Sequence, residues 1–289
     1  MEQREYNQQY YNTIWENVLG KYTYESPIYD LGDLSRQQYV YYFITKFLNS
    51  CTDSCIKIVD FGAGNWLYLG VILQAIKTNN TENTNRRSFV LVGVDYCEQA
   101  LEFGIEKYKS EIPENVVIHK MVGDINEIAN DIANKSYNLV IALETLEHLY
   151  DDIGFVTKAN DILTDQGAVI ISVPNNKPFF LSKNWFIYAF SRRSFSQKDM
   201  KVGHLRRYDI KMIFDVIKQL DFQISETKYY GFFLSDYLKS IIGVVEKHFK
   251  NLFLMSFRIS RRLVLFENEF YNKICVRYSE GLFCFLRRN

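Results

Sequence analysis

The run IKIVDF at 56–61 is apolar and β-branched, and it closes on an acid before Gly62-Ala63-Gly64. That pattern marks a buried strand breaking into a tight loop at the head of a helix. Glycine lets the backbone turn sharply and leaves no Cβ between it and a ligand, while the first N–H groups of the helix point at whatever sits there. A chain built this way sets a nucleotide-sized loop at the carboxyl end of a strand in an open α/β sheet. Asp60 narrows the ligand further. Its carboxylate would repel a dinucleotide pyrophosphate and would hold a cationic amino-acid group.

The same logic repeats along the chain. Short β-branched runs at 56–61, 89–94, 116–122, 137–143 and 168–173 alternate with helical spacing of apolar residues at 67–77, 98–109, 126–133 and 152–163. Such alternation predicts a Rossmann-like, doubly wound and mostly parallel α/β sheet with helices on both faces. The polar stretch at 78–87 is expected as a surface connector. An amphipathic helix over 37–48 belongs to an N-terminal helical segment, 1–50, that closes one side of the ligand cleft. The core, 51–230, ends with a helix over 209–220 and a strand over 222–230. A helical insertion follows at 231–279, rich in apolar residues and interrupted by Arg261 and Arg262, read as a cap with an ordinary helical layer as the alternative, and 280–289 supplies a last strand at 281–286.

Composition removes several classes of partner. The 289 residues can bury a core of their own, with 34 basic and 34 acidic side chains giving no global field toward nucleic acid or anionic lipid. No nucleic-acid partner is expected. Five cysteines, an odd number without a Cys-x-x-Cys pair, fit a reducing compartment, and Cys51 and Cys55 lack companions for a zinc site. With no apolar run of ~18 residues and a polar N-terminus, no transmembrane segment is expected and the reading is cytoplasmic.

Further acids stand where ligands sit. Asp95 ends the second strand, where dehydrogenases and methyltransferases alike hold ribose hydroxyls. Asp124 follows the third, placed to accept from an adenine amine. Each alone also reads as a helix N-cap or a solvated residue; three in strand-end register point to a site. After the fourth strand come Glu144, Glu147 and His148. If the chain turns helically there, Glu144 and Glu147 or His148 share a face and converge on one ion or substrate. His204, in GHLRRYD, brings a second histidine. The plainer alternative is that His148 packs the strand end and the glutamates are solvated.

On these motifs the chain resembles the class I S-adenosylmethionine (SAM)-dependent methyltransferases, over about 57–230. VDFGAGN stands for the SAM loop, Asp95 for the ribose acid, Asp124 for the adenine site and YNLVIALETLEHL for the motif after the fourth strand. The resemblance implies SAM as cofactor, held by Asp60, Gly62, Gly64, Asp95, Asp124 and Glu144. Some metal-dependent O-methyltransferases of the family, including ubiquinone-pathway enzymes, hold a divalent cation with Glu-x-x-Glu-His and a later His. Here these positions are Glu144, Glu147, His148 and His204, which suits Mg²⁺, Mn²⁺ or Zn²⁺. Without a metal, His148 or His204 would be the catalytic base. The implied acceptor is a small-molecule or sugar-like hydroxyl compound. Arg206 and Arg207 read either as a clasp for an anionic group on it or as surface salt bridges, and the aromatic, basic stretch 177–193 either as a lid suited to a lipid-linked acceptor or as core packing of the cap.

One position departs from the family: Trp66 stands where a third glycine is usual, so the loop must pack differently against its helix. Two rivals share the sheet. An NAD-linked oxidoreductase is disfavoured by Leu67 at the last position of Gly-x-Gly-x-x-Gly and by Asp60; a non-catalytic binding module of the same fold is kept open by Trp66.

Overall fold

A computed structural model describes residues 27–82, 87–177, 199–200, 202–231, 250–273, 279 and 281–288. Its strands are β1 (Cys55–Phe61), β2 (Ser88–Asp95), β3 (Val116–Val122), β4 (Tyr137–Leu143), β5 (Leu163–Pro174), β6 (Phe222–Tyr230) and β7 (Gly281–Arg288). They form one sheet in the order β3-β2-β1-β4-β5-β7-β6. β1 to β5 pair in parallel, and β7 runs antiparallel between β5 and β6. A dinucleotide-binding sheet runs 3-2-1-4-5-6. The antiparallel strand inserted here therefore speaks against the oxidoreductase alternative. The order reverses between β1 and β4, which opens a crevice at their carboxyl ends.

Seven helices accompany the sheet among the described residues: α1 (Pro27–Ser50), α2 (Leu69–Glu82), α3 (Glu98–Tyr108), α4 (Ile125–Asp131), α5 (Asp152–Ile162), α6 (Ile210–Ile217) and α7 (Lys250–Lys273). α1, α2 and α3 bury Phe43, Phe47, Ile72 and Leu101 against one face, with Phe43 stacked on Phe285 of β7 at 5.5 Å. α4, α5 and α6 bury Ile128, Phe155 and Ile213 against the other. Each fully buried side chain of this size contributes about 1.5–3 kcal/mol, so both layers clamp the strand ends that carry the site. Aspartates cap the helices of the second face: Asp124 for α4, Asp151 for α5 and Asp209 for α6.

Several expectations shift. The connector expected at 78–87 begins as helix, because α2 continues to Glu82; Asn79 is buried there and its amide meets Asn49 at the end of α1. Residues 83–86 lie outside the described residues. β5 starts at Leu163 rather than 168. Of the insertion at 231–279, α7 is described and 232–249 and 274–278 are not. α7 runs along α1, with Asn268 Nδ2 donating to Ser35 Oγ at 2.8 Å and Asn272 Nδ2 to Tyr39 OH at 2.9 Å. The Asn272 side chain also accepts from Tyr229 N–H at 2.9 Å and donates to its carbonyl at 2.8 Å, so it pairs with edge strand β6 as a neighbouring strand would. Of the stretch expected as a lid, 177–193, all but residue 177 lies outside the described residues. No helix among the described residues is long and apolar enough to cross a membrane.

Candidate active site

The loop after β1 is shaped by two left-handed glycines, Gly62 at φ 76° and Gly64 at φ 54°. Gly62 N–H donates to Val94 O at 2.8 Å, and a Cβ on Gly62 would come within 2.5 Å of Thr145 Oγ1. Thr145 Oγ1 itself donates to Phe61 O and Leu143 O at 3.0 and 3.1 Å, tying this loop to the one after β4. Asp95 accepts from Gly64 N–H at 2.8 Å and Cys97 N–H at 3.0 Å, so the expected ribose acid also holds the glycine loop closed. Burial pushes its carboxyl up, against the pull of three backbone N–H donors.

Asp60 lies one strand over, 7 % exposed. Burial first, and then the charge of Asp95, push its carboxyl up to about 8. Asp124 caps α4 through Oδ1, accepting from Asn126 N–H at 2.8 Å and Glu127 N–H at 3.3 Å, while Tyr96 OH donates to its other oxygen. Cap and site residue are thus compatible roles for one side chain. Trp66 is buried at φ 52°, with its N–H on Ala63 O and its carbonyl accepting from Leu69 N–H.

Across the crevice, the segment after β4 does not wind helically from Glu144. Only Leu146–His148 forms a single 3₁₀ turn, and Glu144 sits before it at φ 52°. Its carboxylate accepts from Ser172 Oγ and Tyr230 OH, each at 2.8 Å, and pairs with Arg36 of α1 at 3.3 Å. The expected four-residue set is therefore divided. Glu147, His148 and His204 come together, with ligand atoms all within 4.8 Å of one another, and Glu144 is not in that group.

Glu147 is the unusual member. Its side chain is fully buried and neither carboxylate oxygen has a hydrogen-bond partner; burial, and then the charge of Glu144, hold its carboxyl well above the usual range. His204 Nε2 lies 3.8 Å away. The other nitrogen, Nδ1, faces Asp199 at 2.9 Å, and a carboxylate there fixes the proton on Nδ1 and leaves Nε2 as an acceptor. His148 Nδ1 likewise faces the Gly203 carbonyl at 3.2 Å, and the two rings meet edge to face at 4.8 Å. Burial, then the neighbouring His204, pull His148 down to about 4. Glu147 is therefore not the solvated glutamate of the plainer reading, and with the two imidazoles it makes a set of ligand types able to hold a cation.

Sequence reading missed Asp199, Arg36, Ser172 and Tyr230. Asp199 stands five residues before His204 in a stretch without periodicity, and nothing in the letters joins it to that ring. Of the two readings of Arg206 and Arg207, a clasp on the acceptor or salt bridging, the contacts seen are those of salt bridging. Arg207 donates to Asp199 and to the Asn175 carbonyl; Arg206 pairs with Asp152 at 2.7 Å and donates to the carbonyls of Leu149 and Tyr150.

A family model described as a methyltransferase domain matches residues 52–232. No curated protein sequence matches the chain. Similar solved structures include a Haemonchus contortus phosphoethanolamine N-methyltransferase 2, with SAM (TM-score 0.51, 15% identity) and with phosphomonomethylethanolamine and S-adenosylhomocysteine (0.53, 14%). In both, 87% of this chain and 52% of that one align, so the chain spans about half the length of the Haemonchus enzyme. Loganic acid methyltransferase with S-adenosylhomocysteine aligns at TM-score 0.51 and 12% identity, over 89% of this chain and 94% of that one. At such identities the likeness is one of fold. With more than half its length matched by the family model, on a sheet whose crevice carries the expected loop, this chain belongs to the class I SAM-dependent methyltransferases.

Proposed function

We propose that the chain transfers the methyl group of SAM to a hydroxyl oxygen of a small, sugar-like acceptor. In this reading Asp60, Gly62, Gly64, Asp95 and Asp124 hold the donor, and Glu147, His148 and His204 meet the acceptor. The observation that carries it is the Glu147 carboxylate, buried with both oxygens unpartnered between two imidazoles. A neutral amine already carries a nucleophilic lone pair, whereas a hydroxyl has to give up its proton as it attacks. The related folds do not choose, since one is named as an N-methyltransferase and another as methylating an acid.

Glu147, His148 and His204 would hold a divalent cation, whose chemistry when bound is to lower the pKa of a coordinated hydroxyl. One carboxylate and two imidazoles favour Mn²⁺ or Zn²⁺ over Mg²⁺, which prefers all-oxygen sites. The chain's own groups do the rest. Asp199 orients the His204 ring through Nδ1 and turns Nε2 toward Glu147; that lone pair is a ligand when an ion is bound, and only without one does it take the hydroxyl proton as the oxygen attacks. The new C–O bond forms as the methyl–sulfur bond breaks, and the sulfonium leaves as a neutral thioether. Holding donor and acceptor in line supplies most of the rate, up to about 7–11 kcal/mol in favourable systems. Glu144 gives this geometry a fixed wall by tying Arg36, Ser172 and Tyr230 together.

The test is a screen of hydroxyl-bearing acceptors with SAM, read by mass spectrometry for S-adenosylhomocysteine and for the methylated atom. An O-methylated product, lost on chelation and in His204→Ala, is expected. An N- or C-methylated product, or full turnover after chelation and in His204→Ala, overturns the oxygen and metal readings respectively.

A further inference from the structure

We propose that Trp66 is the positioning residue of the donor loop, and that Gly93 and Gly104 determine cofactor affinity by making room for it. This rests on the reading of Gly62–Gly64 as the SAM loop. In glycine loops of this type a third glycine lets helix and strand approach closely. Here the largest side chain stands there, 2 % exposed, and the missing Cβ atoms are found on its neighbours. A Cβ on Gly93, in the middle of β2, would overlap the indole ring at Cζ2, Cε2 and Nε1. One on Gly104 of α3 would overlap the Asn65 carbonyl and lie 2.7 Å from Trp66 Cβ.

The indole therefore fills a notch cut by two glycines, and it joins the loop to the two elements that flank Asp95. β2 ends in Asp95, and α3 follows Cys97, whose N–H Asp95 accepts. The other oxygen of Asp95 accepts from Gly64 N–H, two residues before Trp66. Wedge and carboxylate thus fix the same turn from opposite sides. Two costs are borne for it. Trp66 occupies the left-handed region at φ 52°, and its Nε1 is buried without a partner. A strained backbone and an orphaned donor in one residue beside a ligand loop are what a constraint retained for positioning leaves behind.

Calorimetric titration with S-adenosylhomocysteine of the wild type, Gly93→Ala, Trp66→Leu and the double variant tests this, with hydrogen exchange of the Gly64 amide read alongside. Overpacking by one methyl converts to about ten- to hundredfold in affinity, so Gly93→Ala is expected to bind about thirtyfold more weakly. In the same variant Gly64 N–H should exchange faster while amides of β4 and β5 keep their protection, which a general loss of stability would not allow. Trp66→Leu keeps the backbone strain but lacks the atoms that overlap; adding it to Gly93→Ala should restore binding to the level of Trp66→Leu alone. Should Gly93→Ala not fold, Trp66→Leu by itself must weaken binding about tenfold and free Gly64 N–H. Wild-type affinity in either single variant, or additive losses in the double, would overturn the proposal. No heat with the wild type would instead remove the SAM-loop reading, and this proposal with it.

Discussion

The two walls of the crevice are built on opposite principles. On the wall proposed to hold the donor, Asp95 gives both oxygens to backbone N–H groups and Asp124 gives one to the cap of α4 and one to Tyr96 OH, so these acids have partners within the chain. On the wall proposed to meet the acceptor, Glu147 is buried with no hydrogen-bond partner, and two imidazoles are held by their far nitrogens with the near ones turned inward. Preorganisation by local hydrogen bonds suits a ligand that is always the same molecule. A buried, unsatisfied acid suits an ion or a reacting group, and stability is lost there to make room for chemistry.

That contrast gives the largest predicted effect. Glu147→Gln removes the acid while keeping its shape, and turnover should fall by about 10²–10⁴. Chelator-treated Glu147→Gln should nonetheless melt higher than the wild type treated alike, by about 2–4 °C per kcal/mol regained. Activity and melting temperature falling together would erase the distinction between the walls. Asp95→Ala should do the opposite on the donor side, where loss of the acid frees Gly64 and Cys97 N–H. Affinity for S-adenosylhomocysteine should drop about a hundredfold, by calorimetry, with a lower melting temperature from two unmade charge-assisted bonds. If Asp95→Ala melts like the wild type, the acid does not hold the loop.

The same division decides how much of the molecule was legible. Asp60, Gly62 and Gly64 are neighbours in the chain, and Asp95 and Asp124 each end a β-branched run, so the donor wall is written in local patterns that strands and caps obey. β3, β4 and β6 span the residues expected of them, β4 as a continuous apolar run buried on both faces and β3 and β6 as edge strands with exposed positions. The acceptor wall is assembled from Arg36, Ser172, Asp199, His204 and Tyr230, which only tertiary structure joins. Glu144 was expected to turn with Glu147 because spacing alone suggests a helix; its left-handed φ and its bonds to Ser172 and Tyr230 decide otherwise. Trp66 looked like a defect in the loop because the compensating glycines lie on other elements.

Asp60 sharpens the comparison by being the donor wall's own unsettled acid. With its carboxyl pushed up to about 8, it holds a proton at neutral pH until a cationic amino group arrives. Binding of SAM at pH 7 should then release close to one proton, measured by calorimetry in two buffers, and affinity should rise at most about tenfold per unit from pH 6 to 8. The sign for stability is the reverse. A folded value above the unfolded one of about 3.9 contributes stability that is complete below pH 4 and is lost as pH rises through about 8. Asp60→Asn should therefore gain on the wild type in melting temperature across that window and bind SAM without pH dependence. Parallel melting curves for the two proteins would show that Asp60 is ionised before SAM binds.

The smallest effect separates two duties of one side chain. Asp124 caps α4 with one oxygen and accepts from Tyr96 OH with the other, so both oxygens of the proposed adenine acid already have partners. Asn keeps an oxygen for the cap and should leave the melting temperature unchanged, whereas Ala should cost about 0.5–2 kcal/mol of stability. In affinity for S-adenosylhomocysteine, Asp124→Asn should lose about threefold, well under 1.4 kcal/mol, because only the charge behind one hydrogen bond is removed. Equal affinity in wild type and Asp124→Asn would confine the residue to capping, and the adenine would then be held by the loop and by packing. A loss as large as that of Asp95→Ala would mean that the donor wall, too, keeps an acid in reserve for its ligand.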